Sequence, residues 1–135
     1  MGSTSSSKRK KKVKLKDYVS WFEIPAINFD QAVYFYNHIY GIDMEIYKNE
    51  EYAMGFFPAD KGVGGAVVAG PASVPSELGP LIYLNGGNDL NEVLSKVEEA
   101  GGRIIMAKTL ILDESGYFAI FIDSEGNKLA LHSNN

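Results

Sequence analysis

The sequence predicts an α+β fold of two βαβββ modules, which form a curved mixed sheet with helices on its outer face. Three observations carry that prediction. Two amphipathic helical stretches lie 61 residues apart with the same apolar spacing. Each follows one short alternating run and precedes three more. A connector rich in Pro, Gly and Ser, residues 70–80, separates the two sets.

The elements follow in order. "DYVSWFEIPA" alternates as a strand, with Trp21 and Glu23 on one face and Phe22 and Ile24 on the other. Asn28 is suited to cap a helix. Phe29, Ala32, Val33, Tyr36 and Tyr40 then form one apolar stripe, which Gly41 ends. "IDMEIYKN", "YAMGFF" and "VGGAVVAG" read as three strands. After the connector, "PLIYLN" is a strand, and Leu90, Val93, Leu94, Val97 and Gly101 repeat the helical offsets. "GRIIMAK", "GYFAIFID" and "KLALHS" complete the second set. Phe29 thus maps to Leu90, Val33 to Leu94, Tyr36 to Val97 and Gly41 to Gly102. One such unit buries too little area to fold well alone, so two must pack together.

Composition narrows the function classes. The chain has 135 residues, 45% of them hydrophobic, which suffices for one packed domain. We read residues 1–16 as a solvated basic tail and 17–135 as one domain, with modules at about 17–70 and 80–134. The tail holds seven of the 13 bases, which leaves six against all 17 acids in the body. An acidic body repels phosphate, so nucleic acid is expected at most at the tail, whose "KRKKK" also reads as a nuclear-import or polyanion-binding segment. Cysteine is absent, which excludes disulfides, thiolate metal sites and a Cys nucleophile. No apolar run reaches membrane-spanning length and the start lacks a signal-type stretch, so a cytoplasmic protein is expected.

The paired modules resemble the vicinal oxygen chelate superfamily, which includes glyoxalase I, extradiol dioxygenases and bleomycin-resistance proteins. The resemblance runs from Tyr18 to Ser133 and rests on "WFEIPA", "AVYFYNHIYG" and "GYFAIFIDSEGNKLALHS" in that order. It is nearest to small glyoxalase-related proteins whose last strand ends in "LHS". It implies a homodimer, and a divalent metal held by His, Gln or Glu from the first and last strands of each module. It also implies an acidic ligand four residues after the turn glycine. Counted from Gly126, that place is Ala130, which has no ligating atom. Trp21 stands where the first ligand is implied. Residues 61–72 and 78–84 contain no Asp, Glu, His, Asn or Gln. Only Glu23 and His132 remain, too few for a stable site, so no metal and no other cofactor is expected.

Strand alternation brings Trp21, Glu23, Leu81, Tyr83, Lys128, Ala130 and His132 to the inner face. The expected function is small-molecule binding there, with Trp21, Tyr83, Leu81 and Ala130 as the ligand-binding residues. A glyoxalase-related lyase or isomerase is the alternative, with Glu23 and His132 as an acid–base pair. A partner-binding module with a closed core is the third. Met54, Phe56 and Met106 are expected to fill the core, His38 to meet helix carbonyls and solvent, and Lys108 to be solvated. The glycines of "GVGGAVVAG" suit close strand packing and not a phosphate loop.

Overall fold

The computed structural model describes residues 14–112 and 114–135, so most of the basic tail lies outside the described residues. The first module holds β1 (Trp21–Ala26), α1 (Phe29–Tyr40), β2 (Glu45–Lys48), β3 (Ala53–Phe56) and β4 (Gly64–Ala69). The second holds β5 (Tyr83–Asn85), α2 (Asn91–Leu94), β6 (Arg103–Leu110), β7 (Tyr117–Ile122) and β8 (Lys128–Ser133). Both modules are therefore βαβββ, in the order the sequence predicts. Their strands form two four-stranded sheets, ordered β1-β4-β3-β2 and β5-β8-β7-β6. In each sheet the first strand runs parallel to the last, and the other neighbours are antiparallel. No described helix is long and apolar enough to cross a membrane.

The helices differ for a physical reason. Asn28 caps α1 by accepting from the Gln31 amide at 3.1 Å, and Gly41 ends it in the left-handed conformation. Asp89, which matches Asn28 in the repeat, accepts from the Asn91 amide at 2.9 Å, two residues on, where Asn28 reaches three residues on to Gln31. The second helical stretch is α-helical for only four residues. It then tightens into turns in which Lys96 and Val97 bond three residues back, to Val93 and Leu94, at 3.1 Å each. The predicted stripe survives this change: Leu90, Val93, Leu94 and Val97 are all buried.

Each sheet has a helix face and an open face. Ile24, Ala26 and Val67 of the first, and Leu84, Ala119, Phe121, Leu129 and Leu131 of the second, join one core with Phe35, Tyr36 and Ile39 of α1. Phe35 stacks on Phe121 at 6.1 Å between centroids. Gly102 makes this approach possible: a Cβ there would lie 2.7 Å from the Phe35 ring and 2.5 Å from the Ile122 carbonyl oxygen. The two helical stretches also touch, through His38 Nε2 and Glu99 Oε2 at 2.5 Å. These residues are 61 apart, the repeat length, so the contact joins equivalent positions of the two modules. His38 thus meets a carboxylate across the repeat, and not only the helix carbonyls and solvent expected for it.

Candidate functional site

The open faces carry most of the predicted site residues. β1 alternates as expected, with Phe22 and Ile24 toward the core and Trp21 and Glu23 on the open face. Glu23 pairs in register with Ala66 of β4, which pairs in turn with Phe56 of β3. In the second module Tyr83 pairs with Ala130, and Ala130 with Ile120. An aromatic pair stands beside each alanine: Trp21 and Phe56 at 6.2 Å, Tyr83 and Phe118 at 6.5 Å. Both alanines are fully buried under these neighbours. Met54 pairs with Val68, and Met106 with Ile120, which puts both methionines and Phe56 on open faces. Their expected place in the core is thereby corrected. β6 carries register irregularities near Met106, and Met106 is 41% exposed.

Glu23 and His132 each have a local partner. The Trp21 indole N–H donates to Glu23 Oε2 at 3.2 Å. His132 Nε2 donates to the Ser115 carbonyl at 2.9 Å, which fixes a proton on that nitrogen. The two residues border different spaces. Glu23 lines a cleft of about 270 Å³ with Ser76, Asn127 and Lys128. His132 lines a shallow hollow with Tyr83, Asn85 and Ser133. Lys108, expected in solvent, is held by Asp89 at 2.9 Å and sits 4.6 Å over the Tyr117 ring. This contact and the Asn91 amide draw Asp89 below the ordinary carboxylate range, the amide bond more strongly.

The donor set argues against a divalent metal at the strand positions the resemblance implies. Of Glu23, Ala66, Tyr83 and Ala130, only Glu23 is a carboxylate. Among the described residues no three His, Cys, Asp or Glu side chains gather to hold an ion. The residues present do not fit the group.

A larger space lies where β1 passes β5. It measures about 580 Å³ and takes in Leu81 and Tyr83, together with Phe22, Tyr40, Phe57 and Val63. Sequence reasoning missed all four: alternation places Phe22 under the helix as packing, and Tyr40, Phe57 and Val63 come from a helix end and a turn that alternation does not describe. The available signal was the spacing of "FPADKGVGGAV" against "FIDSEGNKLAL", two stretches of the same length that end on matching strands. The close packing expected of the glycines is present: a Cβ on Gly65 would fall 2.4 Å from the Phe22 ring.

Comparison with known proteins bears on the fold. No family model matches the chain, and no curated protein matches it either. Solved structures do match. A glyoxalase I mutant from Zea mays aligns with 91% of this chain at a TM-score of 0.69 and 17% identity. This chain spans only about half, 48%, of that one. A glyoxalase-related enzyme from Fulvimarina pelagi aligns over 89% of both chains, with a TM-score of 0.64 and 13% identity. A glyoxalase/bleomycin resistance protein/dioxygenase family enzyme from Burkholderia phytofirmans aligns over 86% of this chain and 98% of its own, at 0.62 and 16%. With the paired modules and their register, these matches establish that the chain has the two-module fold of the vicinal oxygen chelate superfamily.

Proposed function

We propose that this chain is a cytoplasmic, metal-independent small-molecule-binding protein on the glyoxalase/bleomycin-resistance fold. Its ligand is aromatic or amphipathic and lies against Trp21, Leu81, Tyr83 and Ala130, where exposed rings offer stacking surface. The observation that carries this reading is the alanine pair. Ala66 and Ala130 occupy the same register position in the two modules, opposite Glu23 and Tyr83. Neither has an atom that can ligate, and an aromatic pair stands beside each. A homodimer is part of the proposal. Each sheet leaves an open face with exposed apolar residues, among them Trp21, Tyr47, Tyr83 and Met106, and a second copy is the simplest cover. An acid–base role for Glu23 and His132 draws less support, since they line different spaces and each is engaged locally.

Two measurements test the reading. Elemental analysis of the purified protein is expected to find no stoichiometric divalent ion; Ni, Zn or Fe at one per chain overturns it. The sole tryptophan, Trp21, is the reporter for ligand. Screening aromatic metabolites and antibiotics is expected to give saturable quenching of Trp21 and a raised Tm. Quenching that never saturates counts against the open face. Sedimentation velocity should return a dimer.

A further inference from the structure

We infer that the cavity at the module seam is a second small-molecule site, built for an uncharged and largely apolar ligand carrying one hydroxyl or carbonyl group. Phe22, Ile82 and Leu84 of the helix side border it together with Leu81 and Tyr83, so it opens at the β1–β5 seam and shares those two residues with the open-face proposal, while Trp21, Glu23 and Ala130 do not line it. Its volume of about 580 Å³ falls within the usual span of small-molecule sites, about 300–1,000 Å³.

The repeat shows that this space is specified and is not slack in the packing. Val67 of β4 pairs with Ile24 of β1, and Leu131 of β8 pairs with Leu84 of β5. Val67 and Leu131 are therefore equivalent, and counting back from them equates Val63 with Asn127, Lys61 with Glu125, Ala59 with Asp123 and Pro58 with Ile122. The second-module turn is sealed. Asp123 N bonds the Asn127 carbonyl at 2.9 Å, and the Asn127 side chain donates to the Pro25 carbonyl of β1 at 2.7 Å. In the first module each sealing group is replaced. The Phe57 amide still bonds the Gly65 carbonyl at 3.0 Å, but β3 stops at Phe56 where β7 runs on through Ile122, and Pro58 stands in place of Ile122. Ala59 and Val63 have no polar side chain, and both line the cavity. Tyr40 takes over the one bond that Asn127 makes to the neighbouring module. Its hydroxyl donates to the Asn85 carbonyl at 2.8 Å, and Asn85 is the equivalent of Pro25.

The lining sets the ligand class. No acidic or basic residue borders the cavity, so a charged ligand would lose its hydration without gaining a counter-ion. Tyr40 and Asn85 make its polar end. Burial pushes the Tyr40 phenol well above the ordinary tyrosine range, so it stays protonated, donates to Asn85 and keeps a lone pair for a ligand hydroxyl. The Asn85 Oδ1 accepts from the Gly87 amide at 2.8 Å, and the Asn85 NH₂ is left as the donor for a ligand carbonyl.

Nile red, an uncharged fused-ring dye with one ring carbonyl, is the probe. Titration of the full chain is expected to give a saturable, blue-shifted emission at one dye per chain. Filling the cavity with Ala59→Phe and Val63→Trp is expected to weaken binding by about tenfold or more while circular dichroism is unchanged. Binding that does not saturate, or that persists in the filled variant, overturns the inference. So does loss of the dye in Trp21→Ala with retention in the filled variant, which moves it to the open face. If the filled variant does not fold, nuclear Overhauser contacts from dye ring protons to the Val63 and Ile82 methyls of the unaltered protein decide: their presence supports the site and their absence overturns it. The open-face proposal stands or falls separately, on Trp21 quenching.

Discussion

The two hairpin turns of this chain, residues 57–64 and 121–128, have the same length and the same place in their modules, and they do opposite work. The second is a polar clasp. The Asp123 carboxylate, almost wholly buried, accepts from the Tyr36 hydroxyl at 2.7 Å, from the Glu125 and Asn127 amides at 2.9 Å each, and from the Asn127 side chain at 3.0 Å. Glu125 Oε1 accepts from the Ile27 and Asn28 amides at 2.9 and 2.6 Å, which holds the start of α1 and suits the positive end of a helix. The first turn has apolar side chains at most of these places, and a cavity forms beside it. The comparison separates holding the modules together from making room between them. One copy of the turn carries each task.

The largest expected effect breaks the clasp. Asp123→Ala leaves the Tyr36 hydroxyl and the Asn127 amide without their buried acceptor, and should destabilise the chain by about 3 kcal/mol or more in urea unfolding. The equivalent Ala59→Ser in the first turn should move stability by less than about 0.5 kcal/mol, because no network meets it there. Equal losses at the two positions would erase the distinction.

A smaller effect sharpens it. Tyr36→Phe removes one hydrogen bond to a buried carboxylate and should cost about 1.5–3 kcal/mol. Burial first, and the Asp123 charge second, raise the Tyr36 phenol well above its ordinary value. A raised tyrosine favours the protonated native state. The stabilisation is therefore complete below the unfolded phenol's value of about 10 and is lost as pH climbs beyond it. Unfolding midpoints measured between pH 8 and 11 should fall more steeply for the unaltered chain than for Tyr36→Phe.

This division of labour also marks what the sequence reveals. Periodicity finds strands and helices because burial imposes it, so the stripe from Phe29 to Tyr40 and the alternation of Trp21, Phe22, Glu23 and Ile24 were legible. The second helical stretch was legible as a buried face but not as a short α-helix, since its length is a question of local hydrogen bonding and not of burial. The open faces misled the expectation for Met54, Phe56 and Met106: apolar type signals a face, and not whether that face is covered. Asp123, Glu125 and Asn127 look like ordinary turn residues. Their role depends on Tyr36, Ile27 and Pro25, which lie about 90–100 residues away in the chain. The seam cavity was legible only by setting one turn against the other.

The smallest predicted effect lies in the second module, away from both turns. Lys108 joins Asp89, at the start of the α2 region, to β6 and also covers the Tyr117 ring. The Asp89 carboxyl is held below its usual range, so its contribution is present above the unfolded carboxylate's value of about 4 and is lost as pH falls through the lower folded value. The carboxylate is exposed, and solvent screening keeps the contribution of such a pair small. Lys108→Met retains the apolar stem over Tyr117 and removes only the charge. Its Tm should match that of the unaltered chain to within about 4 °C at pH 7, and the difference should shrink at pH 3. A larger loss that persists at pH 3 would assign Lys108 to packing against Tyr117 and take the ion pair out of the account.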